Sequence, residues 1–462
     1  AGRTRRLVGA RSRGPGRRAM SLMRASADLS PRIALLSPCG WNDLGNFAIV
    51  DSLINGIRER IPRARIVAFT MNPDDTVARH SIEAHTLASF SLPFYPVREP
   101  HGTARTDAAA PEKRTSARGA VSALASWVRR LPVQGPLRTW LLAPLRFTRE
   151  PGHFALSRER LRGAGALVVA GGGQLDAAWG GILGHPYVLW RWGRIARSVG
   201  AAFVFASVGT GSLTSPSRRL ILRALALASY RSYRDDRSRE LLGPAPALAG
   251  DPTVPDLAYA LPVARTTRPR SDRLTIGLSP MNYRLPGRWP KPDMRRYRAH
   301  IQSFADIAAR ALRDGHEVVL FATDDDGPAV DDTATAIAKL APTGMRGLRI
   351  APTPSVAALL STIAGVDLVV TARLHGVILS HVSHRPVLAV AHERKVRTLM
   401  EEAGQARFCF DIASVDPAAA YARLLDLAAG REELTRSIAD AVERNRVRVS
   451  AQYDALFGPI AS

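Results

Sequence analysis

An arginine and a histidine two residues apart give the clearest chemical signal in the sequence. Arg373 and His375 stand in TARLHGVILS, directly after the apolar run GVDLVV, which predicts a buried strand. Arginine binds a carboxylate or phosphate through paired N–H groups, and histidine moves a proton near neutral pH. Gly376 permits close backbone approach, and VILSHVSH predicts a helix whose N-terminal amides favour an anion. The pair is predicted to bind an anion and transfer a proton; the alternative is a structural ion pair beside a non-catalytic histidine.

Two further cations follow predicted elements. Arg234, in YRDDRS, is either a second anion-binding group or an ion-pair partner of Asp235 or Asp236. Lys395, in AHERK, follows a predicted strand and is placed to meet a phosphate, although a solvated surface position is the simpler interpretation. Neither residue decides the chemistry by itself.

A glycine run follows another predicted strand. Gly171, Gly172 and Gly173 come directly after GALVVA and can offer backbone amides to an oxyanion, or form a turn without a ligand. The run is not the dinucleotide fingerprint GxGxxG, and the sequence contains no GxxxxGK[ST]. The sequence therefore gives no signal for NAD or for a P-loop nucleotide. No set of His, Cys, Asp or Glu has metal-ligand spacing, so no metal and no cofactor are predicted.

The elements that must position these residues alternate between strand and helix. PRIALLSPCG predicts a strand, FAIVDSLINGIRERIP predicts a helix ended by Pro62, and ARIVAFTMNP predicts the next strand. A polar loop lies between the first strand and the helix, with candidate binding residues Asn42, Asp43 and Asn46. The alternation restarts at about residue 256. An α/β fold of two doubly wound Rossmann-like domains facing a central cleft is predicted.

Composition divides the chain further. The net charge is +24, but residues 1–24 and residues 97–162 carry +8 each, so 16 of the 24 charges lie in two segments. We predict a disordered basic arm at 1–28, an N-terminal domain at 29–255 with a basic insertion at about 97–162, and a C-terminal domain at 256–462 with a terminal helix. The remaining chain is only mildly basic, which argues against a nucleic-acid partner.

The same segments bear on the compartment. Within the insertion, WVRRLPVQGPLRTWLLAPLRF either lies on an anionic membrane surface or packs on the core, and the second interpretation is favoured. No apolar run approaches the roughly 18 residues of a membrane-spanning helix. Cys39 and Cys409 are too few for a disulfide framework. A cytoplasmic protein, with peripheral contact at the inner face of the membrane as an option, is expected.

The order of these motifs resembles the polysaccharide pyruvyl transferase family. WNDLGNFAI, LVVAGGG, FASVGTG, YRDDRS, VPDLAYAL and DLVVTARLHGVILSHVSHRPVLAVAHERK follow one another across about residues 33–404. The resemblance implies a fold similar to GT-B glycosyltransferases. It also implies transfer of pyruvate from phosphoenolpyruvate, as co-substrate, to a sugar or lipid-linked oligosaccharide as a ketal, usually in a cell-surface polysaccharide.

By position in these motifs, the resemblance implies that Arg373 and Arg234 bind phosphoenolpyruvate and that His375 is the general acid or base. The glycine loop and Lys395 would stabilise the departing phosphate. This sequence departs from the family pattern at Asn46, where an Asp is usual, so Asp43 either replaces that Asp or the acceptor chemistry differs. Two alternatives stay open: a GT-B glycosyltransferase that uses a nucleotide-sugar, and a non-catalytic binding protein.

Overall fold

Two parallel sheets of six strands each form the framework of the molecule. The computed structural model describes residues 31–40, 43–89, 150–245, 248–263, 271–283 and 293–461. The first sheet has the strand order β3-β2-β1-β4-β5-β6, and the second has the order β12-β11-β10-β7-β8-β9. Counted from its own first strand, each sheet has the doubly wound order 3-2-1-4-5-6, in which ligands bind outside the carboxyl ends of the strands. The predicted fold is confirmed.

The first half alternates strands and helices. Its strands are β1 (Arg32–Leu36), β2 (Arg65–Thr70), β3 (Glu83–Thr86), β4 (Ala164–Ala170), β5 (Ala202–Val208) and β6 (Tyr230–Tyr233). Its helices are α1 (Leu44–Arg60), α2 (Pro73–His80), α3 (Glu150–Leu161), α4 (His185–Ser198), α5 (Ser215–Leu225) and α6 (Asp236–Glu240). A short 3-10 helix over Gly181–Leu183 precedes α4.

The second half opens with a 3-10 helix over Leu257–Ala260. Its strands are β7 (Thr275–Ser279), β8 (Glu317–Leu320), β9 (Leu348–Ile350), β10 (Leu368–Thr371), β11 (Val387–Ala391) and β12 (Cys409–Asp411). Its helices are α7 (Met294–Arg313), α8 (Gly327–Leu340), α9 (Val356–Ala364), α10 (Leu374–Val382), α11 (Arg394–Glu402), α12 (Pro417–Ala429) and α13 (Arg431–Ala461). Further 3-10 helices span Pro342–Gly347 and Ala406–Phe408.

The start of α1 shows how one side chain sets an element. Asp43 caps the helix, because its side chain accepts a hydrogen bond from the backbone N–H of Asn46 at 3.2 Å. The helix therefore begins at Leu44, three residues before the Phe47 start that the apolar spacing predicts. The residues predicted as a loop before the helix form its first turn instead. The helix ends at Arg60, before Pro62, as predicted.

Strands buried on both faces place the hydrophobic core. Along β1, Ile33 and Leu35 belong to one buried cluster, and Ala34 and Leu36 belong to another, as the alternation of a strand requires. The first cluster extends from the first sheet through the second sheet to α13. The second cluster lies under α4 and α5, on the other face of the first sheet. The two halves therefore share one continuous core.

The last helix returns to the first half and ties it to the second. Tyr453 of α13 hydrogen-bonds Ser52 of α1 at 3.0 Å between their hydroxyl oxygens, and Ser52 donates to the Leu257 carbonyl at 2.5 Å. Arg60 adds a surface ion pair, with Nε 2.7 Å from Oδ1 of Asp454. These contacts hold the start of the second half against α1.

The chain leaves the first sheet at Ser89 and returns at Glu150, close to the point of departure. Ser89 Oγ donates to Glu150 Oε2 at 2.5 Å. Glu150 is buried and pairs with the buried Arg191, whose Nη1 lies 2.7 Å from Oε1 of Glu150. Arg191 also donates through Nη2 to the Leu87 carbonyl at 2.6 Å. These three contacts form a clasp that joins the two ends of the intervening segment.

Two predicted segments lie wholly or mostly outside the described residues. These are the basic arm at 1–28 and most of the insertion, including WVRRLPVQGPLRTWLLAPLRF; α3 is the part of the insertion that the structure describes. The predicted boundary at 255/256 falls after β6 of the first sheet and before β7 of the second. Among the helices in the described parts of the chain, none combines the length and the apolarity needed to cross a membrane.

Candidate active site

A buried carboxylate lies between an arginine and a histidine where the halves meet. Asp256 is 2 % exposed and caps the Leu257–Ala260 3-10 helix. Its Oδ2 lies 3.5 Å from Nη1 of Arg234 and 3.6 Å from Nε2 of His375. Arg234 follows β6 of the first sheet, and His375 lies in the first turn of α10, after β10 of the second sheet. The three side chains form one cluster, which we call the Arg–Asp–His cluster.

The electrostatics of the cluster leave both cations available. Burial alone raises the pKa of Asp256, but His375 and the charge of Arg234 more than offset it, so the pKa lies below its usual value. The carboxylate therefore stays ionised near neutral pH. Both contacts are longer than the 2.7–2.9 Å of a tight charged hydrogen bond. Nε2 of His375 has no hydrogen-bond partner within the described residues. Asp256 thus holds Arg234 and His375 close without saturating the nitrogen atoms of either side chain.

Two glycines make room for the cations. A Cβ atom at Gly45 would overlap the imidazole of His375, and one at Gly209 would lie 2.7 Å from Nη2 of Arg234. Gly45 is in the first turn of α1, and Gly209 directly follows β5. Larger side chains at these positions would displace the catalytic candidates, which explains glycine in WNDLGN and in SVGTG.

The glycine run and the polar turn of α1 meet beside the cluster. Gly171 and Gly172 have φ angles of +45° and +68°, the left-handed region that favours glycine. The Gly172 carbonyl accepts from the Gly209 N–H at 2.7 Å, which fixes the run against the loop that supports Arg234. A Cβ at Gly172 would lie 2.8 Å from Oδ1 of Asn46, and Nδ2 of Asn46 donates to Asp43 Oδ2 at 2.5 Å. The polar turn and the glycine run therefore line one region.

Arg373 lies near this region but is committed to other carboxylates. Its Nε and Nη2 donate to the two oxygens of Asp326 at 3.0 and 2.5 Å, and its Nη1 lies 3.3 Å from Asp324 Oδ2. Asp326 is fully buried and also accepts from the Asn282 N–H at 2.8 Å. Arg373 thus links the residues that follow β8 to the residues that follow β10. This arrangement is the structural ion pair that the sequence left open as an alternative.

Lys395 lies at the opposite rim, in the first turn of α11. Its Nζ is 2.6 Å from Glu393 Oε2, and its side chain is 41 % exposed. Burial raises the pKa of Asp176, just after the glycine run, and the charge of Lys395 partly opposes that rise. Lys395 is therefore within electrostatic range of the first half, across the cleft.

A cavity of about 390 Å³ opens beside Lys395, at the carboxyl ends of β11 and β12. Its charged lining comes from three carboxylates and two arginines: Glu393, Glu401, Asp411, Arg394 and Arg397. None of the Arg–Asp–His residues lines it. His392, in its wall, connects it to the candidate site, because Nδ1 lies 2.9 Å from the Ala372 carbonyl.

The structure brings most of the predicted site residues together. Gly171, Gly172, Asp43, Asn46, Arg234 and His375 surround one region; Gly173 continues the run, Lys395 faces it, and Arg373 is held by Asp326. Asn42 lies outside the described residues. The roles assigned to all of them stay predictions.

Sequence reasoning missed Asp256. Its motif, VPDLAYAL, carries the family resemblance, and an aspartate that directly precedes an apolar turn is a capping signal. Neither observation by itself indicates contacts with residues 22 positions upstream and more than a hundred downstream.

The match to known families covers most of this site. The sequence model of the family described as polysaccharide pyruvyl transferase matches residues 43–394. The chain belongs to the polysaccharide pyruvyl transferase family. The matched range includes the Arg–Asp–His cluster and the glycine run, and it ends just before Lys395. Membership of this family supports a transferase. No curated protein sequence matches the chain.

Solved structures share the fold at low sequence identity. A protein described as a UDP-N-acetylglucosamine 2-epimerase from Listeria monocytogenes is 10 % identical, with a TM-score of 0.52 over 92 % of this chain and 95 % of that one. The S. aureus MnaA–UDP structure is 9 % identical, with a TM-score of 0.48 over 89 % and 91 %. The E. coli ADP-heptose lipopolysaccharide heptosyltransferase II is 14 % identical, with a TM-score of 0.40 over 87 % and 99 %. The first of these matches supports the two-domain, GT-B-like fold.

Proposed function

We propose that the protein transfers pyruvate from phosphoenolpyruvate to two hydroxyls of a sugar, forming a cyclic ketal during synthesis of a cell-surface polysaccharide. The observation that carries the proposal is the Arg–Asp–His cluster, in which one half supplies an arginine and the other a histidine to a single buried carboxylate. A small ligand with a carboxylate and a phosphate needs cations that converge from both sides of a cleft.

The reaction balances without a further reactant. A proton adds to the methylene carbon of phosphoenolpyruvate, and the central carbon becomes oxocarbenium-like. One sugar hydroxyl forms a C–O bond to that carbon, and the bond to phosphate breaks. A second hydroxyl closes the ring. Two hydroxyl protons are released; one balances the proton added to carbon, and the other leaves with phosphate.

Arg234 and His375 are assigned the central roles. Arg234 binds an anionic group of phosphoenolpyruvate, because its contact with Asp256 at 3.5 Å leaves donors for a ligand. His375 gives or takes the proton, and its Nε2 lies 3.6 Å from the buried carboxylate of Asp256. Arg373 orients the start of α10, where His375 stands.

The acceptor is assigned to the polar side of the same region. Asn46 has no basic atom, and the carboxylate of Asp43 receives two hydrogen bonds from Asn46. We therefore assign Asp43 and Asn46 to holding acceptor hydroxyls and leave proton transfer to His375. The cavity beside Lys395 suits the rest of an uncharged sugar, since its carboxylates and arginines match hydroxyl groups better than they match a small anion of high charge. Two free cysteines, Cys39 and Cys409, agree with a reducing cytoplasm as the compartment.

Ligand binding tests the donor. Calorimetry should show that phosphoenolpyruvate binds the full chain, and that UDP-, GDP- and ADP-sugars do not compete with it. Binding of a nucleotide-sugar alone would replace the proposal with a glycosyltransferase, and binding of phosphoenolpyruvate without turnover on any sugar would favour a binding protein.

Substitution of His375 tests the mechanism. His375→Ala should abolish phosphate release from phosphoenolpyruvate while the affinity for phosphoenolpyruvate changes by less than about tenfold, because the proton transfer is lost and the anion contact is kept. His85→Ala, on the edge strand β3, is the matched control and should keep wild-type turnover. If the His375 variant retained most of its activity, the proton-transfer role would be wrong.

A further inference from the structure

A long stretch of the first half contains no acidic residue. Between Asp176 and Asp235 the chain has eight arginines and neither Asp nor Glu. This stretch includes α4 and α5, which pack side by side over the second hydrophobic cluster. This stretch is much longer than a single surface loop, so its lack of acidic residues is not the charge pattern of one loop.

Seven of the eight arginines of this stretch fall into two groups; the eighth, the half-buried Arg218, donates through Nε to the Leu242 carbonyl at 2.5 Å. Arg191, Arg231 and Arg234 form ion pairs with Glu150, Asp251 and Asp256. Four others are exposed and have no ion-pair partner among the residues that the structure describes: Arg194, Arg197, Arg219 and Arg223. Arg194 and Arg197 are one turn apart on α4, and Arg219 and Arg223 are one turn apart on α5. The two adjacent helices therefore present a row of uncompensated positive charge.

An apolar turn lies at one end of this row. Ile182 and Leu183, in the 3-10 helix before α4, are each 38 % exposed. The same 3-10 helix contacts α5 as well as α4. Trp190 lies in α4 between the turn and Arg194 in sequence, and the Arg194 guanidinium is 5.1 Å from its ring centre. The apolar turn therefore adjoins the two helices that carry the exposed arginines.

We propose that this arginine face (Ile182, Leu183, Arg194, Arg197, Arg219 and Arg223) docks the protein on an anionic lipid bilayer. The four exposed arginines form no ion pair within the described residues, and such positive charge is attracted to negative lipid headgroups. The Ile182–Leu183 turn supplies apolar side chains that enter the interfacial region of the bilayer. A tryptophan such as Trp190 is typical of the depth between the headgroups and the acyl chains. A nucleic acid would match the arginines, but its phosphate backbone offers nothing to the aliphatic turn.

The arginine face ends near the cleft, so docking would bring the membrane surface close to the candidate site. The Ile182–Leu183 turn lies in the connection that follows β4 and the glycine run, at the edge of the first sheet that faces the cleft, and the Gly181 N–H at its start donates to the Ala177 carbonyl at 2.8 Å. The apolar end of the face is therefore at the cleft rim, and a docked bilayer would lie beside the cleft opening. An acceptor carried on a lipid would then reach the site without leaving the membrane surface. The docking itself does not depend on which reaction the cleft performs.

Vesicle sedimentation of the full chain tests the proposal. The wild type should bind phosphatidylcholine vesicles with about 30 mol % phosphatidylglycerol at about 0.1 M salt, and bind pure phosphatidylcholine far less. Each arginine near a charged surface contributes about fivefold to partitioning. R194E/R197E/R219E/R223E should therefore lose at least about a hundredfold. The matched control R295E/R298E/R313E/R349E, with the same charge change on exposed arginines of the second half, should lose at most severalfold.

Two milder sets of variants keep the test decisive if the fourfold variant does not fold. R194S/R197S and R219S/R223S should each lose about twentyfold, and I182S/L183S should lose severalfold at high salt, where only apolar contact remains. Absence of the wild type from the anionic vesicles, or equal losses in the arginine-face and control variants, would overturn the proposal. If the arginine-face variants kept vesicle binding but lost binding to an RNA duplex, the face would be a nucleic-acid site instead. Because no assay uses phosphoenolpyruvate, failure here leaves the proposed reaction untouched, and the reverse also holds.

Discussion

Arg234 and Arg373 look alike in sequence and differ in their surroundings. Both follow a parallel strand at the cleft edge of a sheet. Arg234 meets two carboxylates at 3.5 Å each, Asp235 through Nε and Asp256 through Nη1, and Asp256 is shared with His375. Arg373 is gripped by both oxygens of Asp326, and by Asp324 at 3.3 Å. Arg234 has unsaturated donors beside a proton-transfer group, whereas Arg373 has most of its donors filled by the protein.

We propose that this difference separates a ligand-binding arginine from a supporting one. A fully paired guanidinium must break protein contacts before it binds an anion, and the buried carboxylate it leaves would lose its partner. A loosely paired guanidinium gives up little. We therefore expect substitution of Arg373 to affect folding first and substitution of Arg234 to affect catalysis first.

The largest effect is expected on stability at the Arg373 side. Arg373→Met should lower the free energy of unfolding by about 3–5 kcal/mol, because it leaves Asp326 buried without its cation. Arg234→Met should cost less, about 1–2 kcal/mol, since the buried Asp256 loses one loose contact but keeps His375 as a partner. Urea denaturation followed by circular dichroism measures both. Equal losses would show that the two arginines are paired alike in solution.

For turnover, substitution of Arg234 is expected to have a larger effect than substitution of Arg373. Arg234→Met should lower kcat/KM for phosphoenolpyruvate by about 10²–10³-fold, the scale of losing one charged contact to a reacting anion. Arg234→Lys should recover part of that loss, because one positive charge remains without the paired N–H geometry. Phosphate release at saturating sugar is the measurement. Unchanged KM and kcat in Arg234→Met would remove Arg234 from the site.

The smallest effect is expected on the pH dependence of stability, through the carboxylate of Asp256. The pKa of Asp256 is lowered in the folded protein, so its stabilisation is present above the unfolded value of about 4 and is lost as pH falls through the folded value. Asp256→Asn should lack this contribution, and its stability should fall less steeply than that of the wild type below about pH 4. We also expect kcat to fall about tenfold, because His375 loses its carboxylate. Unfolding measured across pH 3–7 checks the first point, and parallel curves for the two proteins would contradict it.

Strand and helix order was predictable because it depends on local patterns. Buried strands such as GVDLVV are apolar throughout, and α1 carries apolar residues at helical spacing up to Pro62. The resulting topology also placed Arg234, His375 and the glycine run at the same cleft edge. What the patterns missed was local as well: Asp43 extended α1 by three residues, since a cap is a single side chain rather than a periodic signal.

The pairing of charges could not be read from the sequence. The distinction between Arg234 and Arg373 depends on Asp256 and Asp326, which lie 22 and 47 residues away from their respective partners. Parallel sheets bring such residues together through crossovers, so sequence distance gives no guide to contact. For the same reason, nothing in the sequence TDDD at 323–326 indicates that Asp326 is fully buried.

The clasp at Ser89, Glu150 and Arg191 makes the segment from 90 to 149 separable by design. Because the chain departs and returns at adjoining positions, a connector of a few glycines and serines can span them, and loop-closure entropy changes little with length. Glu150 must be retained, since Arg191 is buried against it. A shortened protein of this kind, or a permuted one with new termini inside the segment, would keep both sheets and the cleft and would be a smaller starting point for engineering.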